Sequence, residues 1–590
     1  MKSHRLLLIL LVVRAAMAHD AHGRSNAPLE ARRLKNPLAA ESTAGHLDAG
    51  QKTYRAECAG CHGEDGKART RLAGTLPTRP TDLSEYLMES MRDGEIYWVV
   101  THGILHNDKQ QMPAFDTRLT ETQRWELVLW VRELRKKQKA VEIATLGPYE
   151  WNLPAGFPFP NVPKDNPMTK EKVELGRYLF YDTRLSLNQT QSCATCHRQE
   201  KAFTDGRARG LGSTGQLHPR GPMSLANVAY SPALTWANPN MRQLESQALV
   251  PMFGETPVEL GVSGKEDLLL NRLRGVAIYR KLFAAAFPGD AQPFSIANVT
   301  KAIASFERTL LSGDSPYDDY QRGDNVNAIS ESAKRGEALF FSERTECFHC
   351  HGGFTFTGAL DYLGKGITEV EFHNTGLYNR TGEFSYPKNN LGLYEFTQQK
   401  DDVGKFKAPT LRNIAVTGPY MHDGSIATLE DVISHYKSGG RTIRSGPLAG
   451  DGSQNPAKSE FVKAFDLNDQ EKADMLAFLR SLTDKSFLTN PRFANPWQPA
   501  PAITKKESPY VLHGEIAAVY VEDGSASLYH AEVPGFLAAM PRPTAMEFQV
   551  ADRQQLRLLK PGMKVVAGVR RQGSDYVLEN IRPDKSGRRQ

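Results

Sequence analysis

Apolar residues are spaced in two different ways along this 590-residue chain, and the change of spacing divides it. Between about 45 and 500 they recur every three or four positions, the period of a helix with one buried face. LDAGQKTYRAE (47–57) and LTETQRWELVLWVREL (119–134) are two such stretches, the second opened by a Thr120/Gln123 capping box. ELGRYLFYD (174–182) and KRGEALFFS (334–342) share one pattern, which predicts an internal duplication with two facing lobes. Behind Thr428, a helix cap, Leu429, Val432, Ile433 and Tyr436 follow at i, i+3, i+4 and i+7, ending at Gly439-Gly440. Tyr436 is thus on the buried face and His435 on the flank. From 508 the period falls to two: GEIAAVYV, ASLYHAEV, MKVVAGVRR and YVLENIRP, with the turns EDGS and QGSD, predict a small β-barrel over 508–584.

The N-terminus follows neither pattern. MKSHRLLLILLVVRAAMAHD has basic residues, an apolar run over 6–13 stopped by Arg14, and a small-x-small end at Ala16-Met17-Ala18. That is the layout of a secretory signal peptide over 1–18, cut before His19. The run is far shorter than the ~20 residues a membrane span needs, so the expectation is a periplasmic protein with no transmembrane segment after cleavage. Residues 19–44 are polar and expected as a disordered tail. GPYEWNLPAGFPFPNVPKDNP (147–167), rich in proline and aromatics, is expected as an ordered linker within 141–167. Such a length predicts three or four domains. A net charge of +6 argues neither for nucleic acid nor for strong membrane adsorption.

The six cysteines change the picture. In an exported chain they would suggest disulfides, yet all six fall in one pattern: CAGCH (58–62), CATCH (193–197) and CFHCH (347–351). In C-x-x-C-H the two thiols form thioethers to a haem and the histidine binds its iron. Three c-type haems are therefore expected, on Cys58, Cys61 and His62; on Cys193, Cys196 and His197; and on Cys347, Cys350 and His351.

Around these motifs the chain resembles known families. The stretch 45–140 is similar to a class I cytochrome c domain. There a thioether about fifty residues after CxxCH supplies the second axial ligand, which implies Met112 in QMPAF. The ordered run ELGRYLFYDTRLS, SCATCH, FTDG, TWANP, LESQALVP, PVELG, SFERTL, CFHCH, APTLRN and PYMHDGS is similar to the di-haem cytochrome c peroxidase/MauG superfamily. FGETPVELG, HNTGLY and SLTDKSFLTNPRF look most like its MbnH-like branch, associated with methanobactin copper-acquisition operons. The resemblance implies a mainly α chain: the cytochrome c domain, a two-lobed di-haem core and the terminal barrel. The peroxidatic lobe would be 168–325 and the electron-transfer lobe 326–500.

The same resemblance implies site roles. Glu259 matches the distal glutamate, a general acid/base, Gln247 the distal glutamine and Trp236 the tryptophan between the haems. The interval between Gln247 and Glu259 is two residues longer than in typical peroxidases, which leaves Glu255 as a rival. His218 lies near a loop histidine that ligates the peroxidatic haem in peroxidases, with different local spacing. Arg220-Gly221 replaces the family's Arg-Asn, so Ca2+ would keep only the carbonyls of Thr417 and Pro419. Peroxidases place a ligand methionine fourteen residues after the histidine of HDG. Here that position is Tyr436, as in MauG-like enzymes, with Met421 as competitor.

HAEVPGFLAAM and AMEFQV resemble the CusF-like periplasmic copper-binding barrel. His530, Met540 and Met546 are the matching soft donors for Cu(I), although PRPTA holds the two methionines further apart than is usual there. The resemblances imply a periplasmic tri-haem oxidoreductase that uses hydrogen peroxide and oxidises a redox or copper-binding protein partner. Two alternatives stay open: a cytochrome c peroxidase fed by the N-terminal haem, and a non-catalytic electron carrier or copper-handling protein.

Overall fold

The computed structural model describes residues 27–497 and 510–584, apart from 41–42, 107–108, 324, 366–367, 369, 522–524, 535, 538, 543–544, 557 and 573–574. The expected signal peptide, 1–18, lies outside the described residues. Among these residues no helix is long and apolar enough to cross a membrane. The chain falls into two compact units, 1–497 and 498–590.

In the first unit, helix Thr43–Glu57 packs on helix Glu121–Leu146 around Tyr54, Trp125, Val128 and Val131. The predicted capping box forms: Gln123 N–H donates to Thr120 Oγ1 and Thr120 N–H to Gln123 Oε1. The second helix outruns its apolar stripe, because buried Arg135 and Glu142, one turn-pair apart, form a bidentate ion pair at 2.8 and 2.9 Å. Residues 27–40 correct the expected tail. They form the short helices Leu29–Arg32 and Pro37–Ala40, with Ala27, Ala31 and Asn36 buried, and Asn36 Nδ2 donates to the Trp125 carbonyl. Small residues, a satisfied amide and the Arg32–Glu95 ion pair dock a segment whose composition reads as polar.

The duplicated phrases become two equivalent helix crossings. Lys170–Phe180 packs on Ile296–Glu307, and Glu331–Phe340 on Asp469–Ser481. At each crossing the glycine of the phrase touches the partner's backbone. A Cβ at Gly176 would lie 1.9 Å from the Ala302 carbonyl oxygen, and one at Gly336 1.9 Å from that of Asp474. Each first helix leads into a short helix carrying a CxxC, Cys193–Cys196 or Cys347–Cys350. Two apolar cores result, one around Leu179, Phe180 and Phe306, the other around Phe340, Phe356 and Phe478. Phe487 and Phe493, late in the chain, return to the first of them.

The second unit is a closed five-stranded barrel of Tyr510–Tyr520, Ser525–His530, Met546–Val550, Lys564–Gln572 and Asp575–Pro583. The first strand pairs antiparallel with the second and the fourth, and the third runs parallel to the fifth. Alternate residues point inward, as Val565, Ala567 and Val569 do.

Candidate active site

Each CxxCH places its histidine alike. His62 Nδ1 lies 3.0 Å from the Thr81 carbonyl, His197 Nδ1 2.7 Å from that of Phe203, and His351 Nδ1 3.2 Å from that of Phe356. Donation from Nδ1 leaves Nε2 with the lone pair, the arrangement of a ligating imidazole held by its second neighbour. Burial lowers the proton affinity of all three rings, that of His351 to about 4, so they stay neutral as metal binding requires. All six cysteines are free of disulfides. This donor set fits covalently held haem.

A cavity of about 200 Å3 adjoins the second motif. Cys193, Cys196 and His197 line it together with Trp236, Gln247 and Glu259. Gln247 sits on helix Leu244–Phe253. Glu259 is held through its backbone: Ser213 N–H donates to its carbonyl, and Val258 N–H next to it donates to Gln216 Oε1. Burial lifts the Glu259 carboxyl to about 6. Glu255, the rival, is exposed and accepts a hydrogen bond from Ser263. His218 also lines this cavity, and its Nδ1 accepts from the Arg220 N–H at 3.1 Å. The neutral ring therefore carries its proton on Nε2, a donor and not a ligand in that tautomer.

The same cavity has a carboxyl without a role in the motif comparison, Glu307 in SFERTL. It is 5% exposed, its Oε2 has no hydrogen-bond partner among the described residues, and burial raises it to about 8. The folded state then keeps a proton that the unfolded chain sheds near 4.5, so this group's contribution to stability falls as pH rises from 4.5 to about 8. Glu307→Gln should flatten that decline, gaining stability on the order of a few kcal/mol above pH 8. Denaturation of the holoprotein across pH 5–9 (roughly the window set by that shift) checks it, and parallel curves for both proteins would refute it.

A second cavity, about 170 Å3, adjoins the third motif, lined by Cys347, Cys350, His351, Met421, His422 and Tyr436. Tyr436 comes from helix Leu429–Lys437, where Asp431 N–H donates to the Thr428 side chain as expected. Burial raises the Tyr436 phenol well above its ordinary value. Met421 precedes the helix in a tight turn at φ 71°, the left-handed region that methionine rarely adopts. His422 stacks on Phe406 (ring centroids 3.7 Å, 12°), with its Nε2 buried and without a partner among the described residues. His435 is not on an open flank: it is 5% exposed, near Thr375, Arg441 and Lys458. Trp236 lines both cavities. Its indole N–H donates to the Gly221 carbonyl at 2.8 Å, and its own carbonyl accepts from Lys407 N–H.

The remaining candidates are more scattered. Met112 ends strand Lys109–Met112 and packs on the same core as Cys58. Thr417 and Pro419 flank Gly418 in the turn before Tyr420, and Thr417 Oγ1 donates to the Ile414 carbonyl. In the barrel, His530 and Met540 exchange backbone hydrogen bonds at 3.0 and 2.9 Å, and Met546 pairs with Leu528, two residues before His530. His530 is buried, with Nδ1 2.9 Å from the Ala531 carbonyl and Nε2 without a partner among the described residues. An imidazole nitrogen and thioether sulfurs are the kind of donors that fit a soft ion such as Cu(I), and the strand pairings bring His530, Met540 and Met546 to one end of the barrel.

Comparison with known proteins adds three family matches. The family described as di-haem cytochrome c peroxidase matches residues 170–326, cytochrome c oxidase cbb3-type subunit III matches 45–131, and copper binding periplasmic protein CusF matches 509–583. Methylamine utilization protein MauG of Methylorubrum extorquens is 37% identical over 322 residues, covering 54% of this chain and 80% of its own. Cytochrome-c peroxidase IdrP1 of Denitromonas iodatirespirans is 33% identical over 361 residues, covering 57% and 89%. A solved structure, of a MauG-like protein associated with microbial copper homeostasis, is 49% identical with a TM-score of 0.58, covering 60% of this chain and all of its own.

Proposed function

Because the chain belongs to the di-haem cytochrome c peroxidase/MauG family, we propose that it is a periplasmic oxidoreductase with three c-type haems. It reduces hydrogen peroxide at the His197 centre and takes the electrons from a side chain of a copper-linked protein. The observation that carries this reading is the double position of Trp236, which borders the cavity of His197, Gln247 and Glu259 and also that of His351 and Tyr436.

Cys193, Cys196 and His197 would hold a haem here, which would supply an iron for peroxide to react at. Glu259 moves the proton: as carboxylate it accepts from the near peroxide oxygen, and as acid it donates to the departing one. A proton affinity near 6 suits both halves of that transfer. The Gln247 amide orients peroxide from the neighbouring helix. The Gly221 carbonyl holds the Trp236 N–H and favours positive charge on the indole when it gives up an electron. Tyr436 would offer His351's centre an oxygen donor that a bound iron would hold as phenolate despite the burial that raises its proton affinity, an anionic donor that favours high oxidation states. The copper link rests on the CusF-like match and on the copper association of the MauG-like neighbour.

Met421, in the same cavity as Tyr436, supports a second reading. As a thioether ligand it would make the chain a peroxidase fed with electrons by the N-terminal haem. Peroxide treatment of the holoprotein with periplasmic partner proteins separates the two. New oxidation of a partner's tryptophan or tyrosine, seen by mass spectrometry, supports the first. Peroxide turnover with a small cytochrome and no partner modification supports the second.

For the barrel, the full-length protein should bind one Cu(I), and His530→Ala or Met546→Leu should weaken this at least about tenfold. Competition with a chromogenic Cu(I) chelator measures it, and unchanged binding by both variants would leave the unit without a copper role.

A further inference from the structure

Among the places where the N-terminal helices meet the remainder of the first unit is a joint of two loops that also orient haem-motif histidines. Thr81, whose carbonyl holds His62, lies five residues before Tyr86, and Phe354 lies three residues after His351. Tyr86 stands edge-on to Tyr362 (ring centroids 4.7 Å, 76°) and to Phe354 (5.3 Å, 71°). The Tyr362 hydroxyl donates across this joint to Glu85 Oε2 at 3.3 Å, and Arg412 Nε holds the Phe354 carbonyl at 2.7 Å. The loop of His197 is engaged elsewhere, with Gln199 Nε2 donating to the carbonyls of Phe487 and Asn490.

We propose that this joint is an electron relay between the first and third haem motifs, in which Tyr362 is the oxidisable residue and Glu85 takes its proton. The inference rests on the reading of peroxide as oxidant, which both readings above share; the N-terminal centre supplies single electrons to return the core to rest, whichever group the oxidised core otherwise draws on. Tyr362 is 7% exposed, so oxidation with the proton retained would leave a bare positive charge in a poorly solvating site. A carboxylate in hydrogen-bond contact removes that cost by letting the proton leave with the electron. Burial and the charge of Asp82 raise the proton affinity of Glu85, which suits it as acceptor. Lys365 and Arg135, also facing it, act in the opposite sense.

The balance is simple. Hydrogen peroxide takes two electrons and two protons and becomes two waters. When Tyr362 supplies one of those electrons, its O–H bond breaks, the proton passes to Glu85 and a neutral tyrosyl remains. An electron arriving through Tyr86 from the reduced N-terminal centre, itself filled by a small one-electron donor such as a c-type cytochrome, restores the phenol as the proton returns.

The test uses the full-length holoprotein and its Tyr362→Phe and Glu85→Gln variants. Each is given one equivalent of peroxide with the N-terminal centre either oxidised or reduced beforehand. Freeze-quench electron paramagnetic resonance on the oxidised form should show a tyrosyl signal in the parent that Tyr362→Phe removes. On the reduced form, both variants should slow oxidation of the N-terminal centre about tenfold, and the parent's solvent-deuterium effect should vanish in Glu85→Gln. Phenylalanine keeps the edge-on packing, so a docking role alone would leave radical and isotope effect unmoved. The same tyrosyl signal and the same transfer rate in Tyr362→Phe would overturn the relay while peroxide was still consumed. Failure of the parent to consume peroxide would overturn the functional reading beneath it.

Discussion

Replacing Glu259 with glutamine should slow the reaction with hydrogen peroxide by about 10²–10⁴-fold, the usual worth of a positioned acid/base. Glutamine keeps the volume and a polar end, so the cavity and the CxxCH spectrum should persist. The pH profile gives a second, independent signature. Burial holds the Glu259 carboxyl neutral up to about 6. A base must be deprotonated to accept the peroxide proton, so the parent rate should rise with pH through about 6, and the variant should lose that limb. Glu255→Gln should change neither, since that side chain is exposed and bonded to Ser263. Stopped-flow mixing across pH 5–8 (about the range spanning that transition) measures both effects. An unaltered rate for Glu259→Gln would remove this residue from the mechanism.

The second large effect belongs to Tyr436. Tyr436→Met should raise the reduction potential of the His351 centre by something on the order of a few hundred millivolts, because thioether sulfur favours ferrous iron and phenolate oxygen ferric. The protein should then turn over peroxide as an ordinary peroxidase, with less oxidation of a partner's side chain. Tyr436→Phe removes the donor without a replacement and should convert that iron from six- to five-coordinate. Met421→Leu should alter neither spectrum nor potential. Redox titration with paired magnetic resonance decides the matter. If Met421→Leu moves the potential and Tyr436→Phe is silent, the ligand is Met421 and the chain is a peroxidase.

Features whose meaning is local were legible without coordinates. CxxCH is decided within five residues, the capping box at Thr120 and the N-cap at Thr428 within four, and the Tyr436 helix within two turns. What escaped depends on distant partners. Glu307 closes a helix whose periodicity reads it as an ordinary charged end. Its burial comes from the other elements around the His197 cavity. His435 looks like a flank residue until the chain around Arg441 and Lys458 closes over it. The docking of 27–40 turns on Ala27 and Ala31, too small to register as an apolar stripe. The pairing of His530 with Met540 is a matter of strand register across a long connection, which spacing alone does not set.

The two glycine crossings have a consequence for how one scaffold came to hold two kinds of centre. At Gly176 and Gly336 backbone meets backbone, and any side chain would push the helices apart. Each crossing therefore acts as a fixed datum from which the following CxxCH hangs, with no adjustable side chain in between. The groups that differ between the halves, Gln247 and Glu259 on one side, Met421 and Tyr436 on the other, come from elements that do not take part in either crossing. The duplicate is thus modular in an unequal way. Each frame admits no side chain at its crossing glycine, while the opposite wall of each cavity can be rewritten, so the two halves can present different groups to their cavities without moving either CxxCH.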